Sequence, residues 1–242
     1  MSERRKSQPP TTNYGKVLDE KGEAHIRFTQ EYEEQNSLLD ATREKTQKIV
    51  EQLCSAVVEL YDAGSGKKAQ SQEANRYEAL ADAIMALGQR LPVDSVYGGT
   101  LMAVNRAVRV AGGQQRKHQR TIDDQVVIPL RVWIKDVYPD IVKERNLLNK
   151  RRQEMETATR KVAKPSASVK DKQRLDETTK NYNKQMRVVK KLLDQLPQYH
   201  DHHRKCMISL LNSEKDYHNS VVQAIDLSIS AINQMATTTL VD

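Results

Sequence analysis

The sequence predicts an all-α protein: a long, kinked three-helix antiparallel coiled-coil bundle that pairs with a second copy of itself. Three observations carry this prediction. There is no glycine between Gln114 and Asp242. Apolar residues within that stretch recur at steps of three and four, the heptad period of a coiled-coil seam. Only 38% of the 242 residues are hydrophobic, with a single Trp133 and a single Phe28. That is thin for a deep globular core and ample for long helices that each bury one stripe. A second copy would cover the apolar surface left over, so a homodimer is expected.

Residues 1–16 are polar, contain Pro9, Pro10 and Gly15 and have no hydrophobic period, which predicts a disordered N-terminal tail. A first helix is predicted over 17–62, with Leu39, Ile49, Leu53, Val57 and Leu60 on its apolar side, stopped by the Gly64-Ser65-Gly66 turn. A shorter helix follows with Tyr77, Leu80, Ile84, Leu87 and Leu91, ended by Pro92 and Tyr97-Gly98-Gly99. From Leu101 one bent helix runs to about Val162, with Pro129 and Pro139 as kinks, because no polar loop cluster accompanies either proline. The break at Ala163-Lys164-Pro165-Ser166-Ala167 precedes Ser168, and Asp171 three residues later gives the form of a capping box. The last helix carries its seam at Leu175, Tyr182, Met186, Val189, Leu193 and Leu196, then at Met207, Leu210, Tyr217, Val221, Ala224, Ser228, Ile232 and Met235, and Pro197 bends it. The helical domain thus spans 17–237, and 238–242 form a short C-terminal tail. Strand-like alternation is absent, which argues against all-β and α/β folds.

Charge is concentrated in one place. Residues 142–174 hold eleven Lys or Arg against four Asp or Glu, a surplus of seven that equals the whole formal net charge of +7. The cluster Lys150, Arg151, Arg152, Arg160, Lys161, Lys164, Lys170, Lys172 and Arg174 straddles the turn and forms the candidate binding site. A merely solvated helix interleaves the two signs, as residues 17–62 do; an unneutralised tip suits an anionic surface. A lipid leaflet is favoured, since each Lys or Arg near anionic lipid contributes about 1 kcal/mol. Nucleic acid is disfavoured, because residues 142–174 contain no aromatic for base stacking and no helix-turn-helix, zinc-finger or RNA-recognition signature is present. The remaining alternative is a dimeric helical adaptor whose basic tip engages acidic proteins.

No catalytic, metal or cofactor site is predicted. His200, His202 and His203 lack a carboxylate or cysteine at ligand spacing, and no Gly-rich phosphate loop or nucleophile elbow occurs. Cys54 and Cys206 fall within apolar helical patterns and read as core thiols of a reducing compartment. No segment approaches the ~20 apolar residues needed to span a bilayer, so the expected location is cytoplasmic, with peripheral membrane contact.

Leu80-Ala-Asp-Ala-Ile-Met-Ala-Leu-Gly-Gln-Arg-Leu-Pro-Val-Asp-Ser-Val-Tyr-Gly-Gly-Thr-Leu101, Ile128-Pro-Leu-Arg-Val-Trp133, Lys143-Glu-Arg-Asn-Leu-Leu-Asn-Lys-Arg-Arg152 and His202-His-Arg-Lys-Cys206 followed by Tyr217 occur in an order and spacing that resemble endophilin-type BAR domains. The likeness covers residues 35–235. It implies a crescent-shaped homodimer of kinked helices whose basic concave face and tips sense or stabilise the curvature of anionic membranes in endocytosis or trafficking. Residues 1–16 lack the apolar face of that family's N-terminal amphipathic segment, so neither that wedge nor the family's SH3 domain is expected here. Curvature generation is therefore expected to come from dense scaffolding rather than from an inserted wedge.

Overall fold

The computed structural model describes residues 14–18, 24–56 and 75–238, with the side chains of 26–56 and 75–235. Two short strands, β1 (Tyr14–Leu18) and β2 (Ala24–Phe28), precede α1 (Gln30–Ala56), α2 (Arg76–Gly88) and α3 (Val96–Ile122). A π-turn (Asp123–Val127), α4 (Ile128–Val132) and a second π-turn (Trp133–Val137) continue into α5 (Tyr138–Val162), followed by α6 (Val169–Leu193) and α7 (Leu196–Thr238). The predicted long, bent second helix is thus one uninterrupted helical run from Val96 to Val162. The expected glycine-rich end of the first helix lies outside the described residues.

The prolines explain the two π-turns. A proline ring clashes with the carbonyl four residues back and donates no N–H, so a regular α-turn does not fit there. Pro129 and Pro139 are each the second residue of the α-helix that follows a π-turn, where Ile128 N–H reaches Asp123 O and Tyr138 N–H reaches Trp133 O. One extra residue per turn moves the crowded carbonyl aside.

The chain divides into two compact units. The first comprises residues up to Gln47 together with Val132–Asp201. Its core is a heptad seam: Ile141, Leu148 and Met155 on α5 face the side of α6 that carries Tyr182, Met186, Val189 and Leu193, all at most 5% exposed. On α1, Tyr32, Leu39 and Thr46 are buried at the same heptad spacing. Asp40 ties α1 to α5, accepting from Arg145 Nη1 through both oxygens (2.9 Å each) and from the Tyr138 hydroxyl (3.0 Å). The Gln185 amide donates to Glu144 Oε2 (2.6 Å) and to the Glu144 backbone carbonyl (3.1 Å), fixing α6 on α5.

The hairpin corrects the expected disordered tail at residues 14–16 and the expected helix from residue 17; residues 1–13, and 239–242 of the expected C-terminal tail, lie outside the described residues. β1 and β2 pair antiparallel, Tyr14 opposite Phe28 and Leu18 opposite Ala24. An isolated hairpin is marginal in water, and this one is held by α5. Ile26 N–H donates to Glu156 Oε1 (3.2 Å), Arg152 Nη1 donates to Ile26 O (3.5 Å), and the Arg152 guanidinium lies 4.7 Å from the centre of the Phe28 ring. The outer edge of β2, which would otherwise present unpaired backbone groups, is capped at Ile26 by these side chains.

The second unit comprises Lys48–Arg131 and residues from His202 onward. Asn75 caps α2 through a capping box with Glu78, and Arg116 Nε on α3 donates to Glu78 Oε1 (2.7 Å), holding that carboxyl below its usual range. Asn105 on α3 donates to the Ala81 carbonyl and Arg109 to Asp82 Oδ1 (2.7 Å), so α2 and α3 lie antiparallel. Gly112 is where α3 meets the cap of α2: an added Cβ would come 2.8 Å from Glu78 Cγ and 3.0 Å from Asn75 Oδ1. The predicted stop at Gly98-Gly99 is corrected. Both glycines lie in the first turn of α3, whose N-cap is Ser95, and a Cβ on Gly99 would meet Met235 Sδ of α7 at 2.6 Å. His118 on α3 stacks on Tyr217 of α7 and shares a 2.9 Å hydrogen bond between Nδ1 and Ser213 Oγ. The two cysteines are free: Cys206 is buried as expected, whereas Cys54 is half-buried, with Arg131 Nη2 donating to its sulfur at 3.0 Å.

Pro197 does more than bend the third helix. It is the second residue of α7, and Asp194 and Gln195 form a non-helical joint between α6 and α7. Ile49, assigned to the apolar side of α1, is exposed, and the buried position beside it is Val50.

Candidate functional site

The basic cluster is built by the end of α5, the turn 163–168 and the start of α6, all within the first unit. Ala163 N–H closes α5 on Thr159 O (3.1 Å), and Ala167 N–H on Lys164 O (3.1 Å) closes a β-turn with Pro165 and Ser166 at its corners. Proline suits the first corner because its φ is already set for it. α6 then opens on the predicted capping box. Asp171 N–H donates to Ser168 Oγ (3.2 Å), while Ser168 N–H and Oγ–H donate to Asp171 Oδ2 (2.9 and 2.6 Å). These bonds hold the Asp171 carboxyl below its usual range.

A depressed carboxyl stabilises the fold above its unfolded pKa, and that contribution is lost as pH falls through the folded value. Ser168→Ala is expected to cost about 1 kcal/mol at neutral pH. The gap from wild type should narrow on acidification below the usual carboxylate range, because protonated Asp171 no longer needs the Ser168 donors. Thermal unfolding followed by circular dichroism across pH reads both effects.

Of the nine cations singled out from sequence, Lys150, Arg160, Lys161, Lys164, Lys170, Lys172 and Arg174 are exposed. Between Thr157 and Leu175 six cations face one acid, Asp171, and that acid is committed to the cap. Arg151 and Arg152 are different. Arg151 is half-buried and paired with Glu154 (2.8 Å), one α-turn along α5. Arg152 is half-buried beneath the hairpin, against Phe28 and 3.9 Å from Glu156. At a rise of about 1.5 Å per residue, both sit roughly 15 Å below the end of α5.

A second basic surface escaped the sequence reading. From Lys180 to Lys191, α6 holds five Lys or Arg and no Asp or Glu. Lys180, Lys184, Arg187 and Lys191 recur at i, i+4, i+7 and i+11, the spacing of the buried Tyr182, Met186, Val189 and Leu193, shifted by two residues to a different face. Lys184, Arg187 and Lys191 are exposed; Lys180 is paired with Asp176 at 2.7 Å, which raises its pKa. Reading charge by helical face rather than by run would have found the stripe.

The histidines are spread between neighbours rather than gathered. His200 Nε2 is 3.0 Å from Thr42 Oγ1 in the first unit, and the rings of His202 and His203 in the second are 6.2 Å apart. Among the described residues no group of three or more His, Cys, Asp or Glu is placed to hold a metal ion, and no helix is long and apolar enough to cross a membrane.

Comparison with known proteins places this architecture. The BAR domain profile matches residues 14–226, and the chain belongs to the BAR domain family. Endophilin-B1 of Gallus gallus is 23% identical over 193 residues, covering 75% of this chain and 52% of that protein. Endophilin-B1 of Homo sapiens is 25% identical over 152 residues, covering 62% and 42%. The chain therefore spans about half the length of these curated relatives. Among solved structures, the amphiphysin BAR domain from Drosophila superposes with a TM-score of 0.61 at 14% identity, covering 86% of this chain and 93% of that one, which establishes the shared helical fold. BAR domains as a class serve membrane curvature and remodelling and are structural rather than catalytic.

Proposed function

We propose that this BAR domain works as a homodimeric scaffold on the cytoplasmic face of anionic, curved membranes, in membrane remodelling or trafficking. The observation that carries the reading is the end of the first unit, where six cations surround a turn whose one acid is committed to a helix cap. At about 1 kcal/mol per cation near an anionic leaflet, half of them engaging gives roughly 3 kcal/mol per tip, and a dimer multiplies this by avidity. Lys184, Arg187 and Lys191 extend the basic surface along α6.

Co-sedimentation with phosphatidylcholine vesicles, with and without phosphatidylserine, tests the proposal. Binding that requires the anionic lipid and fades with salt supports it, since charges are screened beyond about 8 Å at physiological ionic strength. Equal recovery with neutral vesicles counts against it. Failure to bind either, with retention of an acidic protein, would favour the adaptor reading.

The second unit supports self-association. Among the described residues, fifteen of twenty exposed large apolar side chains belong to it, including Leu211 and Leu227 at 67% and Val222 and Tyr97 at 56%. The predicted α7 seam positions from Met207 to Met235 are only half-buried in the single chain. Apolar surface of this extent on one unit is a site for association. A sedimentation mass of twice 27.6 kDa at micromolar concentration is expected, and a mass near 27.6 kDa would contradict it.

A further inference from the structure

We propose that Ser166 is a phosphorylation site through which a basophilic protein kinase turns off membrane contact at this tip; the inference rests on the membrane reading above. The turn 163–168 contains two serines in a basic setting, with Arg160, Lys161 and Lys164 before them and Lys170, Lys172 and Arg174 after them. Sequence alone does not choose between the two. The structure does. The Ser168 hydroxyl is committed twice over, accepting from Asp171 N–H at 3.2 Å and donating to Asp171 Oδ2 at 2.6 Å. Ser166 occupies the second corner of the Lys164–Ala167 turn, exposed, and its hydroxyl has no partner among the described residues. Presenting Ser166 to a kinase requires opening one backbone hydrogen bond, Ala167 N–H to Lys164 O at 3.1 Å; presenting Ser168 requires dismantling the cap of α6.

The chemistry balances with a nucleoside triphosphate as co-reactant. Ser166 Oγ attacks the γ-phosphorus, the new O–P bond forms as the bond to the β-phosphate oxygen breaks, the hydroxyl proton passes to the kinase's base, and a nucleoside diphosphate leaves. The product carries nearly two negative charges at neutral pH. Placed among Lys161, Lys164 and Lys170, this phosphate cancels two of the five net positive charges between Thr157 and Leu175. At about 1 kcal/mol per charge near an anionic leaflet, two charges correspond to a loss of about 30-fold in affinity per tip. Ser166 bears no core contact and caps no helix, so the fold and the oligomeric state are untouched.

The test treats the full chain, Ser166→Ala and Ser168→Ala with the catalytic domain of a protein kinase C and magnesium-ATP. Mass spectrometry maps the phosphate, and each product is assayed with phosphatidylcholine vesicles containing phosphatidylserine. The expected result is phosphate on Ser166 in the full chain and in Ser168→Ala, each then binding vesicles about 30-fold more weakly, and no phosphate at the tip and unchanged binding for Ser166→Ala. Phosphate on Ser168 in place of Ser166, an unmodified tip, or a stoichiometrically modified Ser166 with unchanged vesicle binding would each overturn the proposal. Should the untreated chain itself ignore anionic vesicles, the membrane reading fails and with it the switch, while the phosphate map still reports which serine is presented.

Discussion

Replacing Lys164, Lys170 and Lys172 together by Glu is expected to abolish co-sedimentation with anionic vesicles while leaving the folded state unchanged. The region from Thr157 to Leu175 carries six cations and one acid; after three reversals it carries three cations and four acids, so attraction becomes repulsion. All three lysines are exposed, in the turn or in the first turn of α6, and none is in an ion pair or side-chain hydrogen bond with another described residue. Exposed substitutions of this kind shift stability by about 0.5 kcal/mol or less each. By the same arithmetic of about 1 kcal/mol per charge, six charge units per chain amount to a loss of several orders of magnitude in affinity. Circular dichroism and sedimentation velocity on the same sample confirm that the variant is folded. A folded variant that still sediments with anionic vesicles as wild type does would remove the tip from the contact surface.

The opposite dissociation of charge from stability is expected at Tyr182. Its side chain is fully buried in the α6 seam of the first unit, and Tyr182→Ala leaves a cavity at the centre of a heptad contact. Removing a large aromatic from a packed core costs about 3–5 kcal/mol, here with no change in charge. For a domain of this size the unfolding midpoint should fall by roughly 10 °C or more. At temperatures where the variant remains folded, its affinity for anionic vesicles should match wild type. A loss of binding without loss of structure would mean that the seam itself, rather than surface charge, reads the membrane.

The parts of the fold that were legible in the sequence are those whose signals are local and periodic. Leu193, Val189, Met186 and Tyr182 declare the α6 seam by spacing alone, and Ser168 with Asp171 declares the start of that helix. The equivalent box at Asn75 and Glu78 has the same form but follows a polar stretch, with nothing to single it out before Arg116 was seen bound to Glu78. The hairpin was illegible for a different reason. Five-residue strands carry little pattern, and the groups that hold this one, Arg152 and Glu156, lie more than a hundred residues away. The same long-range contact explains why Arg152, counted with the tip on charge, instead sits against Phe28. Prolines marked where the long helices deform but not how: Pro129 and Pro139 are absorbed by π-turns inside a continuous helix, whereas Pro197 stands just beyond a true joint. Gly98 and Gly99, read as a stop, are helical because Ser95 caps α3 ahead of them and α7 passes close to Gly99.

Contact of the α5–α6 end with anionic lipid is measured most directly by V169W. Val169 is 74% exposed, is the first residue of α6 and is flanked by Ser168 and Lys170, while the sole native tryptophan, Trp133, is buried and supplies a constant background. On addition of phosphatidylserine vesicles containing brominated lipid, the V169W emission should be quenched, and salt should restore it in step with release of the protein. Vesicles that pellet the protein while the V169W emission stays unquenched would contradict the account, because the membrane would then be held by some other part of the chain.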